Sequence, residues 1–163
     1  MKRIFIDMDG VLCEYRSNAS LEDMMQAGYF SSLAPRTKMI EAVKGLLKLK
    51  KYDVYVLSAV IPECADQSRK EKRAWLDRYI PEIDDSHRIF SICGTSKANA
   101  VHHIIADDIL LDDHSLNLKE WINAGGKAIK ILNECNGINK TFMAGPRLKI
   151  ENTATLLHAL ACI

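Results

Sequence analysis

Residues 3–11 read Arg3-Ile4-Phe5-Ile6-Asp7-Met8-Asp9-Gly10-Val11. The run over 3–7 is apolar, β-branched and aromatic, which predicts a short buried strand. It ends in two acids one residue apart, followed at once by glycine. Acids and glycine are poor strand residues, so this strand either reaches solvent or delivers carboxylates to a site. The rest of the chain decides between the two.

Four more apolar runs predict strands: 53–57 (DVYVL), 88–93 (RIFSIC), 109–111 (ILL) and 128–132 (AIKIL). Helical patterns lie between them. Met39, Ile40, Val43, Leu46 and Leu47 share one face of a helix that begins near Pro35. Residues 64–79 form a charged helix with Trp75, Leu76 and Tyr79 inward, ended by Pro81. A short helix is expected over 97–103, another over 116–124 that stops at Gly125-Gly126, and a closing one over 151–161. Residues 13–34 are more polar, with a short helical pattern at Leu21, Met24 and Met25, and 133–149 are turn-rich with room for a small hairpin.

Strands alternating with helices predict an α/β fold, a Rossmann-like three-layer arrangement with a parallel sheet covered on both faces. Ligands in such folds bind at the carboxyl ends of the strands. Polar groups do gather there: Asp7 and Asp9 after the first strand, Ser58 after the second, Gly94-Thr95-Ser96-Lys97 after the third, Asp112-Asp113 after the fourth.

The totals set bounds. With 163 residues, 48% hydrophobic and 26% charged, the chain fits one globular domain over 1–163. A net charge of +1 without runs of one sign gives no ground for binding a nucleic-acid polymer or a membrane surface. Five cysteines, an odd number with no C-x-x-C pair, read as reduced thiols of a cytoplasmic protein. No apolar run approaches the ~20 residues of a membrane span, and no signal peptide is expected ahead of the first strand.

Four carboxylates and one lysine on one rim repel unless a cation joins them. Hard oxygen ligands and few histidines point to Mg2+. The hydroxyl of Ser58 with its neighbouring backbone N–H groups, and the point charge of Lys97, suit a phosphate. A carboxylate can then attack phosphorus to form an aspartyl-phosphate, and a second one two residues on can protonate the leaving oxygen and later deprotonate water. On this reading Asp7 attacks and Asp9 handles protons. Other residues read more plainly. Cys13 has no evident base partner and is structural. His102, His103 and His114 are surface or capping residues. Trp75 and Trp121 are core. Arg69, Lys70, Lys72 and Arg73 form a solvated helix face. Asp112-Asp113 also suit the cap of the following helix.

DMDGV after strand one, VLS after strand two, a lysine after strand three and LLDD on strand four resemble the four motifs of the haloacid dehalogenase-like hydrolase superfamily. The chain is most similar to its 5'(3')-deoxyribonucleotidase branch, in DMDGVLCEY, GYFSSLAP, RKEKRAWL and LLDDHSLNLKEWINAGGKAIKILN, a likeness running from residue 3 to about residue 133. The resemblance implies a Mg2+-dependent phosphatase for small phosphate monoesters, nucleoside monophosphates above all. It implies Asp7 as nucleophile and Asp9 as general acid/base, with the Asp9 backbone carbonyl also binding the metal. Ser58 and the Ala59 amide would hold the phosphate, Lys97 would neutralise nucleophile and phosphate, and Asp112 and Asp113 would ligate magnesium alongside Asp7. Residues 13–34 would be a very small cap, with Tyr15, Tyr29 and Phe30 as the substrate pocket. Two alternatives stay open: a phosphatase for a different small ester, and a non-enzymatic receiver-type switch phosphorylated on Asp7.

Overall fold

The computed structural model describes residues 1–135 and 145–162. Its strands are β1 (Lys2–Ile6), β2 (Tyr52–Val60), β3 (Arg88–Ile92), β4 (Ile109–Asp112), β5 (Lys127–Leu132) and β6 (Arg147–Lys149). They form one sheet in the order β3-β2-β1-β4-β5-β6, every neighbouring pair parallel. The helices are α1 (Leu21–Met25), α2 (Thr37–Leu49), α3 (Ala65–Tyr79), α4 (Ser115–Asn123) and α5 (Thr153–Ala161).

Side chains alternate across each strand, and the two faces bury different sets. Ile4, Ile6, Val56, Leu111 and Ile129 pack with α2, α3 and α5 on one face. Phe5, Leu57 and Leu110 pack against Leu118 and Trp121 of α4 on the other. This is the α/β, Rossmann-like, haloacid dehalogenase-like arrangement.

The topology positions the site. From β1 the chain builds outward through α2, β2, α3 and β3. It then crosses back to β4 on the other side of β1 and builds the opposite way through α4 and β5. The reversal between β1 and β4 opens a crevice at their carboxyl ends. Register opens it further. β1 pairs with β2 only as far as Ile6↔Val56, whereas β2 runs on along β3 to Val60↔Ile92. The last residues of β2 therefore face an open edge on the β1 side.

Several expectations are corrected. Ser58 lies inside β2, not after it, because pairing with β3 carries the strand two residues further. The helix expected over 97–103 is a 3-10 turn at Lys97–Ala100. The closing helix starts at Thr153, where the Asn152 side chain caps it by accepting from the N–H groups of Ala154 and Thr155. The hairpin expected in 133–149 falls partly on 136–144, outside the described residues; β6 itself runs parallel to β5 and so is not a hairpin arm against it. Residues 13–34 contain the five-residue α1, closed by a reciprocal Ser20–Asp23 capping box, and a 3-10 turn at Phe30–Ser32. No helix among the described residues is long and apolar enough to cross a membrane.

Candidate active site

Asp7 stays in line with the sheet, its N–H donating to Leu111 O at 2.9 Å. The chain then coils tightly, with Met8 O accepting from the N–H groups of Val11, Leu12 and Cys13. Gly10 makes this coil possible. Its φ is +83°, and a Cβ there would stand 2.5 Å from Asp113 Oδ2. Asn133, just after β5, ties the pieces together: its Nδ2 donates to Gly10 O at 2.9 Å and to Asp113 Oδ2 at 2.7 Å.

Lys97 is the hub. Its Nζ lies 2.7 Å from Asp7 Oδ1 and 2.7 Å from Asp112 Oδ2. Asp7 Oδ1 also accepts from the Met8 N–H at 2.7 Å. Asp112 Oδ1 accepts from the His114 N–H at 2.7 Å, and its Oδ2 from Asn117 Nδ2 at 2.9 Å. The N-cap position of α4 belongs to His114, so neither Asp112 nor Asp113 is its capping residue. Asp7, Asp112 and Asp113 each present a carboxylate oxygen, all within 4.8 Å of one another. Hard oxygens this close can hold a divalent cation.

The electrostatics carry the mark of crowding. Burial pushes Asp7 up to about 8; Lys97 opposes the shift, and Asp112, Asp9 and Asp113 add to it. Burial and then Asp112 push Asp113 up to about 6, against the Asn133 hydrogen bond. For Lys97 burial works downward, but Asp112 and Asp7 outweigh it and hold the ammonium above its ordinary range.

A second lysine enters from α3. Lys72 is 0% exposed, which overturns its reading as part of a solvated face. Its Nζ donates to Ser58 Oγ at 2.9 Å, to Ala59 O at 2.7 Å and to Asp9 Oδ2. The helical phase that sends Trp75, Leu76 and Tyr79 inward also sends residue 72 inward, three and four positions earlier. That signal was present in the sequence and was outweighed by the run of charge around it. Because Ala59 O points to Lys72 and not into β3, its N–H lies on the same open edge. With Lys72 counted, four carboxyl side chains share the rim with two lysines.

The remaining predicted residues divide. Asp9 turns its carboxylate to Lys72 and, at 3.6 Å, to the Cys13 thiol, away from the cluster of three acids; a metal-binding role there is left to its backbone carbonyl. Phe30 is buried with its ring centre 4.6 Å from Lys72 Nζ, and Tyr29 packs edge-on against Phe30. Both belong to the core as much as to a pocket wall. Tyr15 is 42% exposed. Burial raises its hydroxyl, with Asp9 and Asp113 adding to the shift.

Comparison with known proteins gives a family and a fold. The family model of the 5' nucleotidase, deoxy (pyrimidine), cytosolic type C protein matches residues 20–143. That span holds Ser58, Lys72, Lys97, Asp112 and Asp113, while Asp7 and Asp9 precede it. None of the curated proteins matches the chain by sequence. Among solved structures, the D,D-heptose 1,7-bisphosphate phosphatase from Burkholderia thailandensis superposes with a TM-score of 0.61 at 16% identity, covering 99% of each chain. A beta-phosphoglucomutase candidate from Thermotoga maritima superposes with a TM-score of 0.61 at 14% identity, covering 100% of each chain. At these identities the likeness is one of fold.

Proposed function

Because the chain belongs to the 5' nucleotidase, deoxy (pyrimidine), cytosolic type C family and is a phosphoric monoester hydrolase, we propose that it removes phosphate from nucleoside monophosphates, deoxyribonucleotides foremost, through an aspartyl-phosphate on Asp7. The observation that carries this reading is Lys97 bridging Asp7 and Asp112 at the sheet's reversal point, across from Ser58 and Lys72.

Lys97 and the Met8 N–H both hold Asp7 Oδ1, which leaves Oδ2 to attack. Ser58 Oγ, the Ala59 N–H and Lys72 cradle the phosphate oxygens. Oδ2 forms a bond to phosphorus as the bond to the leaving oxygen breaks, and Asp9 supplies that oxygen with a proton. Asp9 then takes a proton from water. The water oxygen attacks phosphorus, the acyl-phosphate bond breaks, and Asp7 is restored. Asp7, Asp112 and Asp113 fit magnesium in donor type, spacing and charge. When bound, the ion supplies positive charge against the phosphate oxygens. In this reading the chain acts as one cytoplasmic domain, with residues 13–34 as its cap. The small cap and the exposed Tyr15 favour a second reading, in which the mechanism stands and the substrate is another small phosphate ester.

The test is phosphate release from ribo- and deoxyribonucleoside monophosphates and sugar phosphates, with magnesium and with EDTA. Magnesium-dependent release favouring deoxyribonucleotides is expected, with Asp7→Asn slower by about 10⁴-fold or more. Preference for another ester would discard the substrate and keep the chemistry. Wild-type rates from Asp7→Asn, with no deamidation by mass spectrometry, would discard the nucleophile.

A further inference from the structure

The segment 13–34 has little to hold itself in shape. α1 has five residues and buries none of them. A helix that short has no stability of its own. One face of α3 grips the segment at a spacing of four residues. Gln67 Nε2 donates to Met25 O at 3.2 Å, and Trp75 Nε1 donates to Leu33 O at 2.8 Å. Between them, Glu71 accepts from the Gly28 N–H at 2.7 Å and from the Phe30 N–H at 3.0 Å, one on each carboxylate oxygen. Charge-assisted bonds of this kind are about twice as strong as neutral ones. They seize the chain where it turns at Gly28, whose φ is +89°. Gln67 braces the carboxylate with a further bond at 3.1 Å.

The next residue on the helix is Lys72. Its ammonium stands under the Phe30 ring and on Ser58 and Asp9. Consecutive residues of α3 thus set the backbone that carries the Phe30 ring and the cation that the ring covers. We propose that Glu71 is a positioning residue, which holds Tyr29 and Phe30 as a fixed wall beside the phosphate pocket and so sets how the leaving group of the substrate is seated. Glu71 touches no reacting atom. The proposal rests on the reading of the site given above, and it takes the cap as a clamped wall.

Glu71→Gln tests it. A glutamine has one accepting oxygen for the two N–H groups and turns an NH2 toward the other. Two measurements are made on the full chain. In the first, KM for deoxythymidine 5'-monophosphate is expected to rise about tenfold with kcat within about twofold. For p-nitrophenyl phosphate, whose leaving group is small, kcat/KM is expected within about threefold of wild type. In the second, amide hydrogen exchange is expected to quicken at Gly28 and Phe30 while β1 and β4 keep their protection. Equal losses on both substrates, or unchanged exchange at Gly28 and Phe30, would overturn the proposal. If the wild-type protein accepts p-nitrophenyl phosphate and no nucleotide, the nucleotidase reading fails, and exchange alone decides the clamp in the same two ways. If Glu71→Gln does not fold, Gln67→Ala is read by the same two measurements, with shifts of the same sign and smaller size.

Discussion

The rim and the cap are held by opposite means. On the rim, charge meets charge: Lys97 lies between Asp7 and Asp112, with Asp113 alongside, and the four side chains come from the carboxyl ends of three strands, β1, β3 and β4. In the cap, side chains of a single helix hold backbone atoms of Met25, Gly28, Phe30 and Leu33. The rim's contacts therefore depend on ionisation. Those of the cap depend on the register of α3. Lys72 belongs to both, since it stands on Ser58 and Asp9 and lies under Phe30.

That double membership can be broken. Lys72→Met keeps much of the volume and removes the charge from Ser58, Asp9 and the phosphate. A fall in kcat/KM of about 10²–10³-fold is expected for every ester, p-nitrophenyl phosphate included, because developing charge on the phosphate loses a preorganised donor. A loss confined to nucleotides would assign Lys72 to the cap alone.

The sheet and the rim were legible in the sequence because they follow from local pattern. Apolar runs mark the strands, and acids placed directly after two of them have few other uses. Lys97 was legible for the same reason, as a cation in a short loop after a strand. The missing parts depend on contacts distant in sequence. Lys72 sits in a run of five charged residues, where composition argued for solvent and only helical phase argued for burial. Asn133 reaches Gly10 across 123 positions, and Glu71 reaches Gly28 across 43; neither leaves a local trace. Ser58 reads as a strand end because its hydroxyl interrupts the apolar run at Leu57, whereas apolar residues resume at Ala59 and pairing with β3 continues to Val60.

The rim's dependence on ionisation gives a smaller but separate effect, read in stability. Asp113 is raised to about 6 and Asp7 to about 8, both above the 3.8 of an unfolded aspartate. The folded state therefore holds protons that the unfolded chain releases. This contribution is complete below 3.8 and is lost as pH rises through about 6 and then about 8. Without metal, Tm is expected to fall as pH rises from 5 to 8.5. Magnesium favours the ionised carboxylates, so the rise in Tm that it produces should grow with pH. Thermal melts in EDTA and in magnesium across that range decide the matter. A magnesium shift that stays flat with pH would separate the three carboxylates from the cation.

The smallest effect is expected where rim and cap join. Cys13 leaves the coil after Asp9, forms single β-bridges with Asp9 and Pro35, and offers its carbonyl to Arg36 Nε at 3.3 Å. Arg36 is in turn paired with Glu134 at 2.9 Å. The joint is thus made by backbone and by Arg36. The Cys13 thiol adds only weak bonds, to Met8 O at 3.4 Å and Asp9 Oδ1 at 3.6 Å. Burial first, and Asp9 next, push this thiol well above its ordinary range, so it carries no thiolate to act as a nucleophile. Cys13→Ala keeps every backbone contact and empties only the volume of the sulfur. A loss of about 1 kcal/mol is expected, or roughly 2–4 °C in Tm, with kcat/KM within about threefold of wild type. A fall in kcat/KM beyond tenfold at unchanged Tm would show that the thiol aims Asp9. The joint would then belong to the rim's chemistry, and the boundary between the two regions would move from residue 13 into the cap.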